Sequence, residues 1–152
     1  MTLPRITLFQ PDIPGNTGTI LRLAACLDLT VDLIEPAGFR LDNKSLQRAG
    51  LDYAERTKLV RHADFNAFEA WRREEGRRLV LATTQSRKAY TSIQFRPTDC
   101  ILFGRESSGV TEDVHQIADE KITIPMSESS RSINLAVSVG MVCGEVMRQL
   151  QW

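Results

Sequence analysis

The sequence predicts an α/β fold in which a parallel sheet is flanked by helices. Short apolar runs alternate with amphipathic stretches along the whole chain. The stretches between the runs are long enough to hold the crossover helices that parallel strands require. At 152 residues the chain has the size of one ordinary domain. We therefore expect a single α/β domain over residues 1–152.

The predicted elements follow from the period of the apolar residues. Six short runs are predicted as strands: Ile6–Phe9, Val31–Ile34, Lys58–Val60, Leu79–Thr83, Cys100–Phe103 and Ile122–Ile124. Five longer stretches have helical spacing. These predicted helices are Thr17–Leu27, Asn43–Ala49, Phe65–Glu75, Thr111–Ile117 and Ile133–Leu150.

Residues with short polar side chains and a glycine mark several helix ends. Asn16 is predicted to cap the first helix, because Asn, Asp and Ser side chains accept hydrogen bonds from free amides at a helix start. Asp64 is predicted to cap the helix that Gly76 ends. Either Ser130 or Ser132 is predicted to cap the last helix.

The last predicted helix is apolar and small on almost every side until Arg148. Such a helix must be covered on more than one face, and a domain of this size has few places for that. Two arrangements satisfy the requirement. The helix either lies at the centre of a monomer, or one of its faces forms the interface of a dimer.

Composition excludes several classes of protein. The formal net charge is zero, so any nucleic-acid binding must come from local clusters of charge. The amino terminus has no signal-peptide pattern and no run has membrane-spanning length, which predicts a cytoplasmic protein without membrane contact. The widely spaced Cys26, Cys100 and Cys143 are predicted as buried thiols. No metal site is expected.

The carboxy-terminal third carries the strongest sign of a ligand site. In three segments an apolar run is followed directly by turn-forming Gly, Pro or Ser residues. These segments are 101–109, 124–126 and 130–138. Such turns leave backbone amides and carbonyls free for a ligand. Glu106 in the first segment either orients a ligand amine, pairs with Arg22, or holds its own turn.

Two common enzyme classes lack support in the sequence. Gly15 and Gly18 follow the first strand but do not fit the Gly-x-Gly-x-x-Gly fingerprint of dinucleotide-binding folds. The Gly-x-Ser-x-Gly elbow of α/β hydrolases does not occur in the sequence either.

Basic residues near the first and second predicted helices allow two interpretations. Arg22 either grips a phosphate or lies on the polar side of its helix. Arg40, Lys44 and Arg48 are spaced by four and would form a positive ridge on a helix. That ridge either binds phosphates or is a solvated helix face.

Three ordered motifs resemble the SpoU branch of the SPOUT superfamily of knotted RNA methyltransferases. Asn16 with Arg22 resembles the first motif, and residues 103–109 resemble the second. Residues 124–126 with 132–137 resemble the third. Further matches at residues 34–39, 43–44 and 48–53 resemble the small enzymes that methylate the ribose 2′-oxygen of the tRNA wobble nucleotide.

The resemblance implies a fold, a cofactor and partners. The fold would be a SPOUT-type parallel sheet with a carboxy-terminal trefoil knot, an exception to the rule that chains are unknotted. The cofactor would be S-adenosyl-L-methionine (AdoMet), without a metal. The partners would be the anticodon stem-loop of tRNA and a second copy of the chain, since the active site would use residues of both subunits.

The resemblance also assigns roles to residues. Arg22 and Asn134 would be catalytic, and Asn16, Lys44 and Arg48 would contact tRNA. The cofactor would be held by Ala82, Thr83, Gly104, Glu106, Ile124, Met126, Ser132 and Leu135.

The methylated nucleotide would be cytidine 34 or 5-carboxymethylaminomethyluridine 34. Two alternatives stay open: a SpoU-type enzyme acting on another tRNA or rRNA position, and a non-catalytic RNA-binding or assembly protein.

Overall fold

A computed structural model describes residues 2–42, 44 and 57–152, and within them a parallel sheet carries helices on both faces. The strands are β1 (Arg5–Phe9), β2 (Thr30–Ile34), β3 (Lys58–His62), β4 (Arg78–Ala82), β5 (Asp99–Phe103) and β6 (Glu120–Ile122). The helices are α1 (Pro14–Cys26), α2 (Phe65–Glu74), α3 (Glu112–Ile117) and α4 (Leu135–Leu150).

The sheet has the order β3-β2-β1-β5-β4-β6, and every neighbouring pair is parallel. The α/β prediction with a parallel sheet is therefore confirmed. Because all strands point the same way, the turns that follow β1, β4, β5 and β6 meet at one edge of the sheet. The predicted ligand turns lie at that edge.

The core is divided between the two faces of the sheet. One cluster packs α1 and α4 against the sheet through side chains such as Ile20, Leu21 and Val142. The other cluster packs α2 and α3 against the opposite face through Phe68 and Val114. Each fully buried side chain of this size contributes roughly 1.5–3 kcal/mol of transfer free energy.

Two predicted helix starts are wrong. Helix α1 begins at Pro14, so Asn16 lies inside it and does not cap it. Helix α4 is capped by Asn134, whose side chain accepts from the amide of Val137 at 3.2 Å, and not by Ser130 or Ser132.

Other predicted boundaries agree with the structure. Asp64 caps α2 by accepting from the amide of Ala67 at 2.7 Å. Gly76 follows that helix with φ +64°, a left-handed conformation that glycine adopts at low cost. Of the predicted helix Asn43–Ala49, only Lys44 is within the described residues.

The cysteines do not share one environment. Burial raises the pKa of the Cys100 and Cys143 thiols to about 12, as expected for buried groups. Cys26 is exposed, so the prediction of a buried thiol is wrong there. It lies on the outward side of α1 with Thr19 and Arg22, at helical spacing.

Two kinds of feature are absent from the described part of the chain. It contains no helix that is both long and apolar enough to cross a membrane. It also contains no cluster of three or more His, Cys, Asp or Glu side chains placed to hold a metal ion.

Candidate active site

A cavity of about 440 Å³ opens where the turns after β4, β5 and β6 meet the segment that leads into α4. Its volume is in the range of small-molecule sites, roughly 300–1,000 Å³. The first turn of α1 closes one side through Ile13 and Asn16. The remaining wall consists mainly of chain turns, whose backbone groups are available to a ligand.

The structure brings all eight predicted cofactor residues to this cavity. They are Ala82, Thr83, Gly104, Glu106, Ile124, Met126, Ser132 and Leu135. Asn16 and Asn134 line the same cavity. The binding roles of these residues remain predictions, but their convergence from four separate segments is a structural fact.

The turn after β5 is held by backbone hydrogen bonds and requires glycine at two positions. The amide of Arg105 donates to the carbonyl of Gly109 at 3.0 Å, and the amide of Gly109 donates back at 2.9 Å. A Cβ on Gly104 would lie 2.7 Å from the Gly109 backbone, and Gly109 has φ +67°. Any side chain at either position would open the turn or strain it.

Glu106 joins that turn to the loop after β1. Its Oε2 accepts from the backbone amide of Asp12 at 3.0 Å, and its Oε1 accepts from Asn16 Nδ2 at 3.4 Å. The carboxyl group therefore joins two segments that are at least 90 residues apart in sequence. This role differs from the three that the sequence suggested for Glu106.

The network continues from Asn16 to the start of α4. Asn134 Nδ2 donates to Asn16 Oδ1 at 3.0 Å, while Asn134 Oδ1 caps α4. Glu106, Asn16 and Asn134 thus form a continuous chain of hydrogen bonds along one wall of the cavity. Each amide uses both of its ends, so the side-chain orientations are determined.

Two carboxyl groups meet beside this chain. Ser107 Oγ donates to Asp12 Oδ2, and Arg105 Nε lies 3.5 Å from the same oxygen. Asp12 Oδ1 is buried without a hydrogen-bond partner among the described residues. A carboxylic proton on Glu106 would supply the donor that this oxygen lacks.

The titration of the pair fits that arrangement. Hydrogen bonds from the Glu106 side chain and from Ser107 lower the pKa of Asp12 to about 2. Burial, followed by the hydrogen bond with Asp12, raises the pKa of Glu106. As pH falls, the first proton therefore binds to Glu106.

Not every predicted site residue comes to the cavity. Arg22 is exposed on α1 and does not line the cavity of its own chain. Lys44 is exposed, and Arg48 lies outside the described residues. The cavity is also lined by Arg131 and Ser138, which belong to the predicted ligand segment 130–138 but were given no individual role. His115 of α3 lines it too, and no motif or spacing in the sequence distinguishes that residue.

The sequence profile of the SpoU rRNA Methylase family matches residues 4–144. The chain belongs to this family. The match spans β1 through most of α4 and so contains every turn that lines the cavity.

Several relatives are similar over nearly their full length. The chain is 50% identical to the tRNA (cytidine(34)-2′-O)-methyltransferase of Beijerinckia indica, over 95% of this chain and 91% of that protein. It is 43% identical to the Escherichia coli K12 enzyme of the same name, over 95% and 92%. A structure solved to study the 2-OH methylation of C/U34 on tRNA has TM-score 0.92 and 38% identity, covering 99% of this chain and 97% of that chain.

Proposed function

We propose that this protein methylates the ribose 2′-hydroxyl of the tRNA wobble nucleotide, cytidine 34 or 5-carboxymethylaminomethyluridine 34, with AdoMet as methyl donor. The observation that carries the proposal is the 50% identity to a tRNA (cytidine(34)-2′-O)-methyltransferase over 95% of the chain. The family match and the shared fold agree with it.

The cavity fits AdoMet in size and in lining. Its wall combines apolar side chains such as Phe103, Val110 and Ile124 with free backbone groups of the turns. The eight residues predicted from the sequence would hold the cofactor there. AdoMet supplies a methyl group on a positively charged sulfur, which is ready for transfer to an oxygen nucleophile.

The protein must supply position and charge. A ribose hydroxyl is a weak nucleophile at neutral pH, and holding it in line with the reacting methyl can supply roughly 7–11 kcal/mol of the barrier. The hydrogen bonds among Glu106, Asn16 and Asn134 fix the shape of the cavity wall that these three residues form. Arg22 would stabilise the developing alkoxide, because a guanidinium stays protonated in proteins and rarely acts as a base, and water or another group would take the hydroxyl proton.

The exposed position of Arg22 supports a shared active site. We propose that the protein is a homodimer in which Arg22 of one subunit reaches the cavity of the other. Val137 and Met141 lie one turn apart on α4 and are 52% and 39% exposed, which is unusual for large apolar side chains. A second copy of the chain would cover them, and α4 packs beside α1, which carries Arg22.

Two finer features belong to the same proposal. The segment between β6 and α4 would be threaded through the preceding turns as a trefoil knot, since it lies against the turn after β5 and the start of α1. Lys44 and Arg48 would contact phosphates of the anticodon stem-loop, where cationic side chains replace condensed counterions.

The decisive experiment uses tRNA from cells without the gene, which keeps its other modifications, and maps its 2′-O-methyl groups after incubation with the purified protein and AdoMet. Methylation at position 34 is expected. Methylation at another tRNA or rRNA position would favour the first alternative. AdoMet binding without methylation of any RNA would favour the second alternative, a non-catalytic RNA-binding or assembly protein.

Arg22→Lys tests the mechanism. The variant keeps the positive charge but loses the planar fork, so turnover should fall at least about tenfold while the Kd for AdoMet stays unchanged. Calorimetry with AdoMet and single-turnover methylation measure the two quantities. Unchanged turnover would remove Arg22 from the mechanism.

A further inference from the structure

The imidazole of His115 is largely buried at the edge of the cavity. The proposed mechanism does not use this side chain. Its residue is only 8% exposed, and it lines the cavity from α3. Its ring makes no hydrogen bond to any residue in the described part of the chain. The ring nitrogens are not among the fully buried atoms that lack a partner, so they keep contact with solvent and are available to a ligand in the cavity.

The position of His115 indicates which part of a ligand it meets. Asn16 and Asn134, on the reacting wall, belong to α1 and to the cap of α4, on one face of the sheet. Helix α3 packs on the other face through Val114, the residue next to His115. His115 therefore faces a part of the ligand that is remote from the transferred methyl.

The neighbouring side chains narrow the choice further. Phe103 and Val110, which line the cavity from the strand and turn leading to α3, offer apolar surface suited to a flat base. The cationic side chains of the cavity wall, Arg105 and Arg131, are better partners for the carboxylate of the methionine end.

We propose that the His115 imidazole hydrogen-bonds the nucleoside part of AdoMet and contributes to the affinity of this site for it. The inference rests on the proposed function, because it takes AdoMet as the ligand. It adds a side-chain contact to a site whose predicted contacts are largely made by the backbone.

The test compares three ligands on matched variants by calorimetry. The ligands are AdoMet, S-adenosylhomocysteine and 5′-methylthioadenosine, the last of which lacks the amino-acid end. His115→Phe keeps a flat ring and removes both nitrogens. Affinity for all three ligands should fall by a common factor of roughly 3–30, the usual effect of one lost hydrogen bond in a buried site.

Two further variants separate a hydrogen bond from cavity shape. Gln and Asn place an amide nitrogen near the positions of Nε2 and Nδ1, so either His115→Gln or His115→Asn should restore most of the affinity. Gln116→Ala, at the exposed neighbour on α3, should change nothing. Thermal unfolding checks each variant, and His115→Leu replaces His115→Phe if the latter does not fold.

The outcomes are distinct. Unchanged affinity in the apolar variant overturns the inference, as does a loss that neither amide restores. A loss for AdoMet and S-adenosylhomocysteine with unchanged affinity for 5′-methylthioadenosine overturns the assignment to the nucleoside. If the unaltered protein binds neither AdoMet nor S-adenosylhomocysteine, the proposed function itself fails.

Discussion

Asp32 and Asp12 differ both in burial and in the groups that pair with them. Asp32 in β2 is fully buried and completely paired: Arg5 donates to its two oxygens at 2.6 and 2.8 Å, and His62 Nε2 lies 2.8 Å from Oδ1. Asp12, which lies beside the cavity-lining Glu106, has a cation at 3.5 Å, a second carboxyl group beside it, and one buried oxygen without a partner among the described residues.

The difference separates a structural charge from a charge at a binding site. The Asp32 cluster is sealed by aromatic rings, with the Arg5 guanidinium 4.7 Å from the centre of the Trp71 ring. It joins three strands and has no remaining capacity to bind a ligand. Asp12 lies where three turns meet, and its incomplete pairing is the kind of imbalance that binding sites retain.

The largest expected effect is the loss of the Asp32 charge. Asp32→Asn keeps the shape but leaves Arg5 and His62 without their anion, so the free energy of unfolding should fall by about 3–5 kcal/mol. Urea unfolding at neutral pH measures this. The Kd of the folded fraction for AdoMet should not change, because the cluster lies outside the cavity lining. A loss below about 1 kcal/mol would mean that Asp32 is no more structural than Asp12.

Substitution at Asp12 should lower stability at neutral pH and also weaken the dependence of stability on pH. The folded pKa of about 2 lies below the unfolded value of 3.8, so this carboxylate stabilises the fold above pH 3.8 and the contribution is lost as pH falls towards 2. Asp12→Asn removes that contribution. The unfolding free energy of the variant should therefore change less between pH 4 and pH 2 than that of the unaltered protein.

Urea unfolding at several pH values measures the two slopes. The effect should be smaller than that of Asp32→Asn, because the Asp12 side chain is partly exposed and water screens its charge. The Glu106 pKa should also move down towards its ordinary value in the variant, since the hydrogen bond with Asp12 contributes to raising it. Parallel slopes would show that Asp12 titrates as a solvated side chain.

The sequence could predict features that depend on one segment alone. The strands and their parallel order follow from apolar runs and crossover lengths, which are properties of single segments. The start of α1 was also accessible: Pro14 occupies the first helical position, where its missing amide costs nothing, and this signal outranks the cap assigned to Asn16.

Other features depend on contacts between distant segments. Ser130, Ser132 and Asn134 are all plausible caps of α4, and the bond from Asn134 to Asn16 selects among them. The assignment of eight individual residues to the cofactor came from the resemblance to a family. A contact made by the backbone does not require a particular side chain, so the sequence pattern alone does not identify it. His115 was missed for a related reason, since burial beside a cavity cannot be read from α3 alone.

The smallest effect is expected at a pair that is neither sealed nor part of the cavity. Lys58 Nζ lies 2.8 Å from Asp28 Oδ1, but the two side chains are 59% and 76% exposed. Lys58→Met keeps most of the aliphatic stem, and the unfolding free energy should change by only about 0.2–1 kcal/mol, with less change at high salt. A larger, salt-independent loss in urea would show that distance rather than burial sets the strength of ion pairs here, and the distinction between Asp32 and Asp12 would then need another cause.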